Sequence, residues 1–134
     1  MKKLYYILNL TWGIPMTIIG LITYVILSSL GYKSKSWGPC IWFTVGKSWG
    51  GISLGLVIIT DDTPTEHTLD HEFGHGIQNA IFGILFPFIV AIPSAVRYWK
   101  REFDALKGKE LPPYDSVWFE CQATDLGKKY RPKF

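Results

Sequence analysis

The sequence is organised around residues 63–75, which read TPTEHTLDHEFGH. This stretch contains the motif His71-Glu72-x-x-His75 and all three histidines of the chain. On a helix, side chains four residues apart lie on the same face, so both imidazoles could reach one metal ion with Glu72 beside it. The pattern therefore predicts a metal site with a general base. The alternative is a pair of helical histidines that are solvated or packed without a metal.

The start of the motif helix is predicted by its own residues. Thr63, Pro64 and Glu66 have the spacing of an N-cap, a proline at the first helical position and a capping-box glutamate. We predict a helix from Pro64 to residue 81 or 82, ending near Gly83. The metal motif needs a helix, and the residues before it independently predict one. This agreement favours the metal-site interpretation over a chance match.

Two further polar residues share the face of the motif histidines. Gln78 follows His75 by three residues, and His67 precedes His71 by four. His67 and His75 are eight residues apart, roughly 12 Å along a helix axis, whereas bonds to zinc are about 2 Å long. One ion cannot easily hold all three rings. We therefore predict that His67 is a surface residue of the first turn or, like Gln78, a partner of the ligands.

The composition favours a small membrane-associated protein. A chain of 134 residues allows one domain, or one domain plus an anchor. Hydrophobic residues make up 48% and charged residues 19%, which favours membrane association. Most lysines and arginines lie at or after Arg97, where they could attract anionic lipid headgroups or form a solvated surface. They are scattered and no nucleic-acid-binding motif is recognised, so nucleic acid is not an expected partner. Cys40 and Cys121 are expected to be free thiols.

An uncharged segment near the N-terminus predicts a membrane anchor. Leu4 to Leu30 contains no charged residue. As one helix it would be about 40 Å long, more than the roughly 30 Å hydrocarbon core of a bilayer. We assign residues 1–35 to a retained transmembrane helix of the cell membrane. Pro15 either kinks this helix or marks where an interfacial piece meets the spanning piece. A cleavable signal peptide is disfavoured because no alanine precedes Ala80.

Between the anchor and the motif, residues 40–60 predict a β-hairpin. Two segments, Cys40 to Val45 and Ile52 to Thr60, are rich in β-forming residues and are separated by turn residues. The edge of such a hairpin can pair with an extended peptide and lay its scissile bond near a metal. The alternative is that the hairpin only packs on the motif helix.

A catalytic zinc site needs a third protein ligand. The acidic residues after the motif are Glu102, Asp104, Glu110, Asp115, Glu120 and Asp125. Glu120 lies among large apolar residues in a helix predicted from Tyr114 to Leu126 and ending at Gly127. Burying a carboxylate there is costly unless it is paired or metal-bound. Glu120 is therefore the predicted third ligand, and a solvated or capping carboxylate is the alternative.

If Glu120 is the third ligand, the path of the apolar segment of about residues 77–99 is restricted. A simple membrane span there would place Glu120 on the opposite side of the membrane from His71 and His75. We therefore predict a fold-back near residues 86–87 that makes a membrane-associated hairpin. The heavier positive charge after the anchor favours a site that faces the cytoplasm.

The motif with a downstream helical glutamate resembles the gluzincin branch of the zinc metallopeptidases. More closely, three segments together are similar to small bacterial membrane proteins with zincin-like motifs. These segments are His71-Glu72-Phe73-Gly74-His75-Gly76-Ile77-Gln78, Ile92-Pro93-Ser94 and Glu120-x-x-Ala123-x-x-Leu126-Gly127. The resemblance covers about residues 66–127.

The resemblance implies zinc as the cofactor, held by His71, His75 and Glu120, with Glu72 as the catalytic base. The chain departs from the gluzincin pattern at one position. Four residues after the ligand glutamate that pattern usually has an acid, which orients a zinc-bound histidine. This sequence has Thr124 there, followed by Asp125. Either Asp125 takes over the orienting role through a local shift, or Thr124 leaves the ligands with weaker support.

These inferences predict an α+β, mainly helical fold, in which residues 36–134 form a small zincin-like domain with a helical core. The predicted function is that of a membrane-associated zinc metallopeptidase acting on a peptide or protein substrate. His67, Tyr114 and Tyr130 are the candidate oxyanion donors. A catalytically silent zinc-binding membrane protein and a metal-free membrane interaction module are the alternative functions.

Overall fold

Five α-helices and four short strands make up the fold. The computed structural model describes the backbone of residues 1–134 and every side chain except that of Asp115. The helices are α1 (Lys2–Leu10), α2 (Ile14–Ser29), α3 (Glu66–Phe82), α4 (Ile92–Leu106) and α5 (Trp118–Tyr130). The strands are β1 (Lys35–Trp37), β2 (Cys40–Thr44), β3 (Gly51–Leu54) and β4 (Val57–Thr60). The predicted α+β, mainly helical class is confirmed.

The N-terminal apolar segment forms two helices instead of one. α1 and α2 meet at an angle of 93°, and Pro15 lies in the first turn of α2. Proline has no backbone N–H with which to continue a preceding helix, so the chain can break here. Among the described helices, none is by itself long and apolar enough to cross a membrane. Two pairs of helices, α1 with α2 and α3 with α4, are long and apolar enough when the members of each pair are taken together, but each pair is sharply bent. They meet the requirement only by length and composition. The prediction of a single transmembrane helix is wrong.

A buried polar cluster holds this bend against α3. Asn79 of α3 donates through Nδ2 to Oδ1 of Asn9 at 2.6 Å and to the carbonyl oxygen of Gly13 at 3.0 Å. Thr17 donates its hydroxyl to the carbonyl oxygen of Asn9 at 2.6 Å. The side chains of Asn9, Thr17 and Asn79 are fully buried. Because buried polar groups are costly without partners, these hydrogen bonds fix the corner between α1 and α2 on the motif helix.

The region predicted as one β-hairpin forms a mixed sheet with the order β1-β2-β4-β3. β2 pairs with β4 in parallel, and β3 pairs with β4 in antiparallel. The run from Ile52 to Thr60 is divided by Gly55, whose φ of 68° lies in the left-handed region that glycine tolerates. A Cβ at Gly55 would also lie 2.7 Å from the Cα of Thr17. The predicted pairing of residues 40–60 is therefore wrong, and β3 becomes one of the two edge strands of the sheet, with β1 at the other edge.

The motif helix α3 begins two residues later than predicted. Thr65, not Thr63, is the N-cap, because its hydroxyl accepts a hydrogen bond from the N–H of Thr68 at 3.2 Å. The helix therefore starts at Glu66. It ends at Gly83 as predicted, where a φ of 58° stops the helix.

The chain turns sharply between α3 and α4, through a 3-10 turn at Gly83–Leu85 and a π-helical turn at Pro87–Ala91. The axes before and after the turn differ by 117°, so the predicted fold-back is present. Phe86 and Val90 are buried in one apolar cluster with Met16 of α2. Protein packing therefore holds the turn in place, and its membrane association stays a prediction.

α5 crosses α3 at close range because two glycines leave room for backbone contact. A Cβ at Gly74 would lie 1.7 Å from the carbonyl oxygen of Ala123, and one at Gly127 would lie 1.7 Å from that of Asp70. Gly127 was predicted to end its helix, but it lies inside α5 and serves this contact. The crossing brings the buried Glu120 against the motif face of α3.

Replacing Gly127 by alanine should push α5 away from α3. Alanine is favoured over glycine in a helix by about 1 kcal/mol, but overpacking costs roughly 1–3 kcal/mol or more. The overlap with a backbone carbonyl puts the cost at the upper end of that range. We expect a net loss of about 2 kcal/mol in the free energy of unfolding, measured by chemical denaturation. Lys128→Ala, at an exposed neighbouring position, is the control, and unchanged stability of Gly127→Ala would contradict the close crossing.

Candidate metal centre

Three buried side chains converge between α3 and α5. Oε2 of Glu120 lies 3.3 Å from Nε2 of His71, and its Oε1 lies 3.3 Å from Nε2 of His75. The three potential ligand atoms all lie within 4.8 Å of one another. Two imidazoles and one carboxylate that converge in this way form a possible buried metal site.

The electrostatics of this group suit a cation. Burial by itself would raise the pKa of Glu120, but the adjacent imidazoles of His71 and His75 outweigh burial and hold that pKa far below its ordinary value. Oε2 of Glu120 and Nε2 of His71 are buried and have no hydrogen-bond partner among the described residues. Buried polar atoms without partners are costly, and a cation between them would satisfy both. These side chains therefore fit a bound metal ion.

The ring of His71 is oriented from α5. Its Nδ1 lies 2.8 Å from the hydroxyl oxygen of Thr124, the residue four positions after Glu120 where the gluzincin pattern has an acid. A hydrogen bond at Nδ1 fixes the ring and leaves Nε2 directed at Glu120. Asp125 does not take over the role of the missing acid, because it is exposed and its carboxylate lies 3.8 Å from the thiol of Cys121.

The ring of His75 is oriented by Gln78 of the same helix. Nδ1 of His75 lies 2.7 Å from Oε1 of Gln78. The amide nitrogen of Gln78 donates to the carbonyl oxygen of Phe119 at 2.8 Å and to Oε1 of Gln122 at 3.0 Å. With its nitrogen committed to these acceptors, Gln78 offers only its oxygen to His75, so Nδ1 of His75 is the protonated nitrogen. Nε2 of His75 then keeps its lone pair for a metal.

His67 lies outside the ligand group. It is exposed, and its ring stacks on that of His71 with 6.5 Å between the ring centres and an interplanar angle of 17°. The geometry therefore places His67 on the motif face, one turn before the first potential ligand.

Glu72 is buried between the ligand group and the edge strand. A Cβ at Gly51 of β3 would lie 3.1 Å from Cγ and 3.3 Å from Oε1 of Glu72. Burial raises the pKa of Glu72, and the charge of Glu120 adds to this, while His75 and His71 act in the opposite direction. A carboxyl group with a raised pKa, close to a possible metal ion, is suited to proton transfer.

A cavity of about 280 Å³ lies beside this group. Its polar lining includes Glu72, His75, Ser94 and Tyr114. Apolar side chains from α2, β3, the turn after α3, and α4 make most of the remaining wall, including Met16, Leu54, Phe86, Val90 and Trp99. A concave apolar cavity with a few convergent polar groups is typical of a ligand site.

Two cavity residues outside the metal motif complete the site. Ser94 donates its hydroxyl to Oε1 of Glu120 at 3.0 Å, a contact that the residue pattern around Ser94 does not by itself predict. The ring centre of Tyr114 lies 5.8 Å from that of His71. Tyr130, another candidate oxyanion donor, instead packs on a separate apolar cluster. Of the three candidate donors, Tyr114 is the one that lines the cavity.

No family model, curated protein or solved structure matches this chain.

Replacing Thr124 by valine should weaken metal binding without unfolding the protein. Valine keeps the shape of threonine but removes the hydroxyl next to Nδ1 of His71. Loss of a hydrogen bond to a metal-binding histidine typically costs about 10- to 100-fold in metal affinity, which chelator competition would measure. Thr11→Val, which removes an exposed hydroxyl from the end of α1, is the control. Equal affinity in the two variants would contradict an orienting role for Thr124.

Proposed function

We propose that this protein is a membrane-associated zinc metallopeptidase that hydrolyses peptide bonds. The observation that carries the proposal is the burial of Glu72 in the same cavity wall as His75, next to the convergent group formed with His71 and Glu120. The possible third ligand, the possible base and a cavity all lie next to one another. A motif that occurred by chance would not be expected to have these features beside it.

The donor set favours zinc over the harder divalent cations. Imidazole nitrogens suit zinc, whereas magnesium and calcium prefer all-oxygen sites. Catalytic zinc sites typically have three protein ligands, and His71, His75 and Glu120 supply that number. When bound, zinc supplies a Lewis acid that polarises a substrate carbonyl and lowers the pKa of a water molecule toward about 7.

Glu72 is the proposed general base and acid. Its carboxylate takes a proton from the attacking water as the new C–O bond forms, and delivers it to the amine nitrogen as the C–N bond breaks. The raised pKa of Glu72 suits both steps, because a group with a pKa nearer neutrality both accepts and releases a proton readily.

Tyr114 is the proposed donor to the developing oxyanion. Burial raises its pKa, and the neighbouring charge of Glu120 raises it further, so the hydroxyl stays protonated and can donate a hydrogen bond. The guanidinium groups of Arg97 and Arg101 lie 5.0 Å and 5.3 Å from the ring of Tyr114. Such cation–π contacts hold the ring in position.

The edge strand β3 is the proposed guide for the substrate backbone. All four of its residues line the cavity, and β3 is at the end of the strand order. An extended peptide could add to this edge and place successive side chains alternately toward and away from the cavity. The scissile bond would then lie next to Glu72, since a Cβ at Gly51, the first residue of the strand, would lie 3.1 Å from Cγ of Glu72.

Membrane association is proposed from the exposed apolar faces. Ile18, Ile22, Val25 and Ile26 of α2 are all between 48% and 61% exposed, a degree of exposure that favours contact with lipid over contact with water. We infer that the protein is attached to the cell membrane, with the site on the cytoplasmic side as the distribution of positive charge favours.

Glu72→Gln is expected to keep zinc and lose peptidase activity. Glutamine has the shape of glutamate but cannot take the proton, and general acid–base catalysis typically contributes about 10²- to 10⁴-fold to the rate. Turnover of a peptide library in lipid vesicles and zinc content would be measured on the same preparation. Glu110→Gln, at an exposed position outside the site, is the control.

The outcomes of this assay separate the rival functions. Cleavage by Glu72→Gln at the wild-type rate would contradict the proposed mechanism. Zinc without cleavage in the wild type would indicate a catalytically silent zinc-binding protein, and absence of zinc would indicate a metal-free interaction module.

Tyr114→Phe is expected to lower kcat by roughly 10²- to 10³-fold, the usual effect of removing one oxyanion donor. KM should stay near its wild-type value, because the ring and its contacts with the arginines remain. Zinc content, measured in parallel, reports on the hydrogen bond between the hydroxyl and Glu120. A change in KM or zinc content with kcat preserved would instead show that Tyr114 only supports the site.

A further inference from the structure

The cavity beside Glu72 opens through an apolar mouth. Among the residues that line it, Ile52 on β3 is 45% exposed and Trp99 on α4 is 70% exposed. Ala95, one turn before Trp99 on the same helix, is also an exposed lining residue. Lining residues that are also exposed mark where the cavity meets the surface, so we place its mouth at Ile52, Ala95 and Trp99, where the surface is apolar.

Trp99 belongs to an apolar stripe that runs the length of α4. We call it the α4 stripe, and its members are Ile92, Val96, Trp99, Phe103 and Leu106, which are 54% to 87% exposed. They follow one another at steps of three and four residues, so they share one helix face. No residue of α4 is buried, and a continuous exposed row of large apolar side chains marks an interaction surface.

Basic side chains lie next to the α4 stripe. Lys100 and Lys107 are exposed and lie roughly 60–80° around the helix from Ile92. Nζ of Lys107 is 4.3 Å from the centre of the Phe103 ring, which places a positive charge directly at the border. Glu102 lies at the opposite border. One flank of the stripe is therefore basic, and an apolar helix face with basic residues at its border is typical of attachment to the surface of an anionic bilayer.

The other side of α4 is occupied by the protein itself. Arg97 donates to the carbonyl oxygen of Pro113 at 3.2 Å, and Arg101 donates to that of Pro112 at 2.6 Å. The helix is therefore fixed to the loop that carries Tyr114, with its apolar stripe turned away from that loop. An approach of lipid to the stripe brings lipid to the mouth of the cavity at Trp99.

We propose that α4 lies in the surface of an anionic lipid leaflet and that the cavity takes an apolar side chain of a membrane-bound polypeptide, which enters from that leaflet between Ile52, Ala95 and Trp99. The identification of this polypeptide as a substrate rests on the proposed peptidase function. The binding event itself does not.

The size and polarity of the cavity select this occupant. Its volume of about 280 Å³ lies just below the range of roughly 300–1,000 Å³ typical of small-molecule sites, which suits part of a ligand better than a whole lipid. The adjacent edge strand β3 offers backbone N–H and C=O groups, which a polypeptide can pair with and a lipid chain cannot.

The first experiment locates α4 relative to the bilayer. Cys121→Ser removes the exposed thiol, and Cys40 is buried. In that background an environment-sensitive fluorophore is attached at Phe103→Cys on the stripe or at Ala105→Cys on the other side of α4. The protein is bound to phosphatidylcholine–phosphatidylglycerol vesicles that contain nitroxide-labelled acyl chains. We expect the label at position 103 to lose most of its fluorescence and the label at 105 to keep it; equal quenching at both positions would overturn the docking geometry.

The second experiment tests entry through the mouth. The probe is a leucine-rich peptide with one diazirine-bearing side chain and a palmitoyl group, placed in the same vesicles. Glu72→Gln protein is used so that the probe stays intact. Adding Ala95→Trp, which fills the mouth, should lower the cross-linking yield roughly tenfold or more, whereas Ala105→Trp should leave it unchanged. Zinc content monitors the integrity of each variant.

Two results would overturn this inference. One is an unchanged yield with Ala95→Trp, and the other is equal cross-linking by the same peptide without its palmitoyl group. These failures differ from a failure of the proposed function. Cross-linking with no turnover in the wild type would contradict the peptidase, whereas turnover without cross-linking at the mouth would contradict entry from the leaflet.

Discussion

The buried carboxylate of Glu120 determines how the helices around the possible metal site must be arranged. A carboxylate removed from water needs positive charge or several hydrogen bonds to remain ionised. Glu120 faces His71 and His75 at 3.3 Å each and accepts a hydrogen bond from Ser94. A metal ion held by all three side chains would supply the missing charge, so the chemistry and the stability of the core have a common origin.

Placing that carboxylate requires α5 to approach the motif helix more closely than ordinary side chains allow. Gly74 and Gly127 provide the room, and Thr124 and Gln78 then fix the two imidazoles through their Nδ1 atoms. The same helix α3 holds the N-terminal corner through Asn79. One helix therefore positions both the possible metal site and the corner between α1 and α2.

The site was more predictable from the sequence than the fold around it. A metal ion bound by a helix requires a fixed spacing between His71 and His75, and a catalytic ion also requires a third ligand. Glu120 was predictable as that ligand because it is a carboxylate among apolar residues. The N-terminal bend and the sheet order depend instead on contacts between distant residues, such as Asn9 with Asn79 and Gly55 with Thr17. Such contacts leave no periodic signal in the sequence, and neither does the approach of Ser94 to Glu120.

Thr124 departs from the gluzincin residue pattern, yet its side chain takes a position next to the histidine that the usual acid would orient. The pattern indicates loss of an acid that orients a histidine, but the hydroxyl of Thr124 lies within hydrogen-bond distance of the same ring. A hydroxyl is a weaker partner than a carboxylate, since it adds no negative charge to the imidazole. We therefore infer a site in which the histidine is oriented but less polarised than in the gluzincin pattern.

We propose that His71, His75 and Glu120 hold one zinc ion. Elemental analysis of the purified protein, with Glu120→Gln and Glu110→Gln prepared in parallel, would test this proposal. We expect about one zinc per chain in the wild type and in Glu110→Gln, and little or none in Glu120→Gln, which keeps the shape of the side chain but loses its charge. A wild-type protein without zinc, or equal zinc in all three proteins, would refute the proposed site.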